Sequence, residues 1–236
     1  MSTPSTDPGP LTVAIVGAES SGKSRLAHAI ADALAGEFGL RVDVVDEYLR
    51  QWCDAHGRTP RADEQMALAR EHAARIAAAR ARPGVDVVLC DTTPLMVSVY
   101  SDLLFHDLAL DPLARECQAG MDLTLLTALD IPWTADGIQR DGPHVRAPVD
   151  ARVRARLVAW GVPWSLVSGT GTARLASALD ALRPLLRERA RTGRVRGLFS
   201  RLVGSELGPM APRWSCELCD DPDCERDGRR HASERR

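Results

Sequence analysis

The stretch that most constrains this chain is Gly17-Ala18-Glu19-Ser20-Ser21-Gly22-Lys23-Ser24, set between an apolar run, Leu11 to Val16, and a helical one, Arg25 to Ala35. Strand, glycine loop and helix, in that order, are what a phosphate-binding P-loop requires. Gly17 and Gly22 let the backbone wrap so that its N–H groups point inward at phosphate oxygens. Glu19, Ser20 and Ser21 fill out the cradle, and the new helix adds its positive end. In this reading Lys23 reaches the β- and γ-phosphates of ATP and the Ser24 hydroxyl ligates Mg²⁺. Lys23 is also the only lysine in the chain; every other basic residue is arginine or histidine. A compact ammonium on a thin stem fits inside a tight loop where a wide planar guanidinium does not. The bland alternative is a chance Gly-rich turn capping an ordinary helix, and it leaves the full pattern unexplained.

A chain of 236 residues suits one α/β domain plus an appendage. We expect a disordered leader over residues 1–10, a P-loop domain over 11–190 and a basic, Cys-containing tail over 191–236. Hydrophobic content of 44% is enough for a core, and a net charge of -2 argues against a general nucleic-acid coat protein. The Ser/Thr/Pro/Gly-rich start lacks the basic and apolar regions of a signal peptide, and no apolar run is long enough to span a bilayer. Use of ATP implies reduced thiols for the six cysteines and a cytoplasmic location.

Further along, Arg41 to Asp46 reads as a second strand ending in the acidic pair Asp46-Glu47. Thr59 as N-cap and Pro60 at the first helical position open a helix that runs to Arg82, where Pro83-Gly84 stops it. Val85 to Cys90 is an apolar strand without alternation, closed by Asp91. Thr93-Pro94 opens another helix towards His106. Asp122 to Ala128 and Val162 to Ser168 are the fourth and fifth strands, and a helix follows from about Thr172 to Arg189. Strands alternating with helices predict a doubly wound parallel sheet, whose ligands sit at the carboxyl ends of the strands. The P-loop, Asp46-Glu47, Asp91 and the Asp130 region all fall at such ends.

Asp91 closes a hydrophobic strand, the usual setting of a Walker B acid that holds the Mg²⁺ shell or takes a proton from an attacking hydroxyl. The bland reading makes it an N-cap for the next helix. Asp46 or Glu47 binds a ribose hydroxyl or serves as the base; otherwise they are a solvated pair. Which of Asp46 and Asp91 is the base stays open. Residues 130–146 are too long and polar for a tight turn and carry Gly137, Gly142, Arg140 and Arg146. They read as a lid whose arginines neutralise charge on the transferring phosphoryl group, or else as a surface loop. Trp133 stacks on a substrate ring or packs in the core.

Four stretches come in order: the P-loop, Asp46-Glu47-Tyr48-Leu49-Arg50, Asp91-Thr92-Thr93, and Leu125 to Gly137 with its Asp130-Ile-Pro-Trp133. Together they resemble the ribosylnicotinamide kinase domain of the NadR family of bacterial NAD-metabolism proteins, over about residues 11–190. The Asp-Ile-Pro-Trp…Asp-Gly stretch is far more specific than the P-loop. The resemblance implies a nucleoside-kinase-like fold and transfer of the ATP γ-phosphate to the 5′-hydroxyl of nicotinamide riboside. Full-length members carry a DNA-binding segment and a nucleotidyltransferase domain before the kinase. Only about ten residues precede the first strand here, so repressor and adenylyltransferase activity are not expected. Gln139 stands where the resemblance leads us to expect arginine, which moves the lid's cation to Arg140.

The tail has two features of its own. Arg183 to Arg201 is rich in arginine with interleaved apolar residues, either a last sheet-covering helix with a basic face or an amphipathic helix for anionic lipid or nucleic acid. Cys216, Cys219, Cys224 and His231 form a candidate Zn²⁺ set, weighed against a disordered tail with free cysteines. Two functions are carried forward. The first is a kinase acting on a small nucleoside-like acceptor. The second is a regulatory ATPase or nucleotide switch that works through its tail on a protein or nucleic-acid partner. An AAA-type motor finds no support, because no clear second ATPase motif set is visible.

Overall fold

The computed structural model describes residues 9–134 and 142–191. Five parallel strands run through it: β1 (Leu11–Val16), β2 (Val42–Val45), β3 (Val87–Asp91), β4 (Leu123–Thr127) and β5 (Trp164–Val167). Their order across the sheet is β2-β3-β1-β4-β5. Every residue of β1, β3 and β4 is buried. That explains why these three read as unbroken apolar runs: helices cover both faces, so no polar face is needed. The edge strands β2 and β5 are only partly buried and mix in Asp43 and Ser165.

The helices are α1 (Lys23–Phe38), α2 (Tyr48–His56), α3 (Gln65–Arg80), α4 (Pro94–Phe105), α5 (Asp111–Ala119), α6 (Arg146–Trp160) and α7 (Gly171–Arg191). α1 packs with α7, while α3, α4, α5 and α6 pack among themselves. One core cluster joins Ala14, Val16, Val88 and Leu126 of the sheet to Leu95 and Val99 of α4 and Val153 and Leu157 of α6. An ion-pair network stiffens that layer. Arg156 reaches Asp102 at 3.2 Å and Asp111 at 3.0 Å, and Arg152 reaches Asp102 at 3.1 Å. No helix of the described residues is long and apolar enough to cross a membrane.

This is the doubly wound parallel sheet that alternation predicted, with two local corrections. The helix expected to open at Thr59-Pro60 begins at Gln65, after a single 3-10 turn at Ala62–Glu64. The Glu64 carboxylate accepts two N–H groups of Arg58, each at 2.7 Å, and the backbone N–H of Arg61 at 2.8 Å. That local network sets the entry in place of the expected Thr59 cap. The second correction concerns residues 130–146: Pro143–Val145 forms a 3-10 turn and Arg146 is the first residue of α6. Arg146 is therefore carried by a helix rather than by a loop.

Topology places the site. β1 pairs with β3 on one side, with Ile15 opposite Asp91, and with β4 on the other. Strand order reverses around β1, so the crevice for a ligand opens at its carboxyl end, where the glycine loop begins.

Two measurements follow from this packing. Gly17 leaves β1 at φ +145°, and a Cβ there would come within 2.1 Å of Thr127 Oγ1 and 3.2 Å of the Thr127 carbonyl. Gly39 has φ +64° with nothing within 4 Å of a Cβ. In denaturant unfolding Gly39→Ala should lose about 1 kcal/mol. Gly17→Ala should lose more, about 2–3 kcal/mol or beyond, since strain and overlap add.

His72 on α3 is 1% exposed and its Nε2 has no hydrogen-bond partner. Burial, helped by the charge of Arg75, lowers its pKa to about 4 from 6.5. Between these values the unfolded chain binds the proton and the folded chain does not, so stability falls as pH drops from 6.5 towards 4. His72→Met should remove about 2 kcal/mol of the stability difference between pH 7 and pH 5.

Candidate functional site

The glycine loop is closed by backbone geometry and by small side chains. Besides Gly17, the loop holds Ser20 at φ +54° and Gly22 at φ +79°, the residue that caps α1. Ser21 is fully buried, and its Oγ lies 2.7 Å from both the Ala18 carbonyl and Thr127 Oγ1. Lys23, at the first position of α1, donates from Nζ to the Ala18 carbonyl at 2.9 Å. Its ammonium is thereby folded back over the loop that it follows. Glu19 is also buried, at 7% exposure.

Next to the loop stands Asp91, at the end of β3 and 2% exposed. The Ser24 hydroxyl is near enough to its carboxyl to pull the pKa down, and Oδ1 is buried with no partner among the described residues. Burial is the main cause that holds the Asp91 pKa above the usual carboxylate range. The Ser24 hydroxyl pulls it back, the charge of Glu47 adds to the rise, and Lys23 and Arg50 oppose it. Glu47 and Arg50 pair at 3.4 Å in the first turn of α2, with the Glu47 side chain 15% exposed. Five residues from three chain segments thus share one electrostatic neighbourhood.

The acidic pair after β2 is divided by this arrangement. Asp46 is exposed on the surface, where its Oδ1 lies 3.7 Å from His28 Nε2. Glu47 is the member whose charge is felt at Asp91. Sequence position alone did not separate the two, because the turn into α2 decides which side chain faces inward.

The first residues of the expected lid lie along the glycine loop. The Thr134 N–H donates to Ser20 Oγ at 2.8 Å, and a Cβ on Gly22 would stand 3.1 Å from Ile131 Cδ1. Arg146 is 8% exposed and donates through Nη1 to the Ile131 carbonyl at 2.9 Å. Its Nε and Nη2 have no partner among the described residues, nor has the buried Nε1 of Trp133. A buried cation with two nitrogens to spare, beside a phosphate loop, is suited to accept an anion. Arg140 and the zinc candidates Cys216, Cys219, Cys224 and His231 lie outside the described residues. Among the described residues no group of three or more His, Cys, Asp or Glu side chains is placed to hold a metal.

One residue of this region had no signal in the sequence. Arg174 of α7, 4% exposed, joins Asp130 at 2.6 Å and donates to the Ser21 carbonyl at 2.8 Å. Its partners are distant in sequence, so no local motif announces it.

The AAA_28 family, described as an AAA domain, matches residues 12–174. That span reaches from the first strand into the last helix. No curated protein matches the sequence. A NadR protein in complex with NAD and AMP-PNP superposes with a TM-score of 0.61 at 20% identity, covering 75% of this chain and 50% of that one. A NadR protein in complex with NR gives 0.62 at 20% identity with the same coverage. Thymidylate kinase from Ehrlichia chaffeensis gives 0.54 at 16% identity, covering 75% of this chain and 99% of that one. The chain thus matches half the length of the NadR chains and nearly all of the thymidylate kinase. These likenesses bear on the fold alone, which is of the P-loop, nucleoside-kinase-like type. The chain belongs to the AAA_28 family, as a P-loop nucleotide-binding domain of nucleoside-kinase-like fold.

Proposed function

We propose that this protein is an ATP-dependent kinase that phosphorylates a small nucleoside-like acceptor in the cytoplasm, with nicotinamide riboside the first candidate. The observation that carries the reading is the placement of Asp91, buried at the end of β3 beside the glycine loop, with Lys23, Ser24, Glu47 and Arg50 near enough to act on its carboxyl. A phosphate loop alone fits any nucleotide-binding protein. An acid, a second carboxylate and a cation gathered beside it supply what transfer to a hydroxyl needs.

The parts have separate tasks. Backbone N–H groups of residues 17–24 cradle the phosphates, and the Lys23 ammonium leaves the Ala18 carbonyl to meet the terminal ones. Ser24 and the unpartnered Oδ1 of Asp91 fit a Mg²⁺ ion, which keeps most of its waters and takes few protein ligands. Such an ion would neutralise charge on the phosphate oxygens. Glu47, more enclosed than Asp46 and close enough to act on Asp91, is the better placed to accept the acceptor's hydroxyl proton. Arg146 turns its spare Nε and Nη2 to the transferring phosphoryl group, assisted by Arg140 from the lid. Transfer then requires mainly alignment of the acceptor oxygen and exclusion of water.

NadR in complex with NR has the same fold, and the Asp130-Ile-Pro-Trp133 stretch resembles that family, so both favour nicotinamide riboside as acceptor. A nucleoside panel incubated with the protein and Mg·ATP tests the proposal. A kinase forms ADP and a nucleoside 5′-phosphate in step, and only with its acceptor. Slow ATP hydrolysis indifferent to every nucleoside would overturn the proposal and favour a nucleotide switch. In the same assay Lys23→Ala should lower kcat at least about 100-fold. Glu47→Gln should cost more turnover than Asp46→Asn; the reverse order would return the base to Asp46.

A further inference from the structure

A loop can turn its N–H groups towards a phosphate only if the carbonyls between them turn away, and a carbonyl turned into the protein needs a donor. In this chain the Ser21 carbonyl, in the middle of the glycine loop, is met by Arg174. Nη2 of Arg174 donates to the Ser21 carbonyl at 2.8 Å and to the Ala128 carbonyl at 3.1 Å. Nη1 donates to the Gly169 carbonyl at 2.8 Å and to Asp130 Oδ1 at 2.6 Å. Asp130 Oδ2 in turn accepts the Gly169 N–H at 2.6 Å. The guanidinium therefore fastens together the glycine loop after β1, the end of β4, the end of β5 and the first residue of the lid segment.

We infer that Arg174 is a positioning residue for nucleotide binding, holding the glycine loop in its receptive shape through the Ser21 carbonyl and tying it through Asp130 to the segment that follows β4. The inference rests on the reading of the loop as an ATP site, and it adds a residue that this reading does not contain. Arg174 acts through Ser21 and Asp130. A planar fork is needed, because four acceptors on three segments surround it in one small space, and lysine has a single donor atom. The pair is stable as an ion pair. Burial pushes the Asp130 pKa up, but the bonds from Arg174 and Gly169 outweigh it and hold the carboxyl below its usual range. Loss of Arg174 would leave the Ser21 carbonyl without this donor and Asp130 without its counter-charge.

A purely structural role, pinning α7 to the sheet, makes a different forecast, and Leu182 supplies the comparison. Leu182 is a fully buried residue of α7. Leu182→Ala loosens the helix by removing packing alone. Calorimetric Kd for Mg·ATP, KM for the acceptor and the unfolding midpoint are measured on the full chain and on Arg174→Gln, Arg174→Lys, Asp130→Asn and Leu182→Ala. Arg174→Gln should weaken Mg·ATP binding about tenfold or more, as expected for a lost charge-assisted bond at a buried carbonyl. Arg174→Lys should recover only part of this, and Asp130→Asn should weaken nucleotide binding in the same direction. Acceptor KM should move less than about threefold, and Leu182→Ala should lower the midpoint while leaving Kd for Mg·ATP near wild type. The inference is overturned if Arg174→Gln binds Mg·ATP like wild type, or if Leu182→Ala loses as much affinity at the same loss of stability. Should Arg174→Gln fail to fold, an unchanged Kd in Asp130→Asn overturns it instead. Wild-type protein that takes up no Mg·ATP refutes the ATP site itself and this inference with it.

Discussion

A carboxyl group with one oxygen buried and unpartnered is unfavourable, and Asp91 is such a group beside the phosphate loop. The fold tolerates it because cations surround the neighbourhood. Lys23, Arg50 and the Ser24 hydroxyl all favour the charged form. What remains is a short supply of positive charge at Oδ1, next to a loop lined with backbone N–H groups. In the proposed reading a metal ion carrying a triphosphate would bring that charge and engage those N–H groups together.

Parallel pairing holds the site in register. Ile15 lies opposite Asp91, so the last residues of β1 and β3 end at the same level and the loop starts beside the acid. β4 brings Thr127 to the other side, where its hydroxyl touches Ser21 Oγ and donates to the Val16 carbonyl at 3.2 Å. Because a Cβ at Gly17 would overlap Thr127, glycine is needed for strands and loop to approach this closely. α6 then presents Arg146 from its first turn, braced by the Arg156, Asp102 and Asp111 pairs between α4, α5 and α6. The packing that stabilises the sheet is also the packing that aims the charged groups.

Much of this was legible in the sequence, and the parts that were not share a physical cause. The glycine loop and β1, β3 and β4 could be read because their signals are contiguous: a fixed spacing of loop residues, and apolar runs that burial on both faces demands. The α3 entry was misplaced because the Arg58–Glu64 bonds, reaching across six residues, overrode a local cap rule. Asp46 and Glu47 could not be told apart, since their directions depend on how the chain turns into α2. Arg174 was invisible, because its importance lies in carbonyls of three other segments that accept its N–H groups. The family and fold likenesses do not bear on these local choices, which belong to this chain's own packing.

In the proposed site Lys23, Ser24 and Asp91 together hold the phosphates of a magnesium-bound nucleotide. Calorimetric titration of the intact protein with ATP, with and without Mg²⁺, tests it most directly, with AMP as the comparison. The account predicts saturable one-to-one uptake of ATP that weakens at least about tenfold without Mg²⁺ and again with AMP, where the terminal phosphates are missing. Uptake that ignores Mg²⁺, or that is as strong for AMP as for ATP, would contradict it.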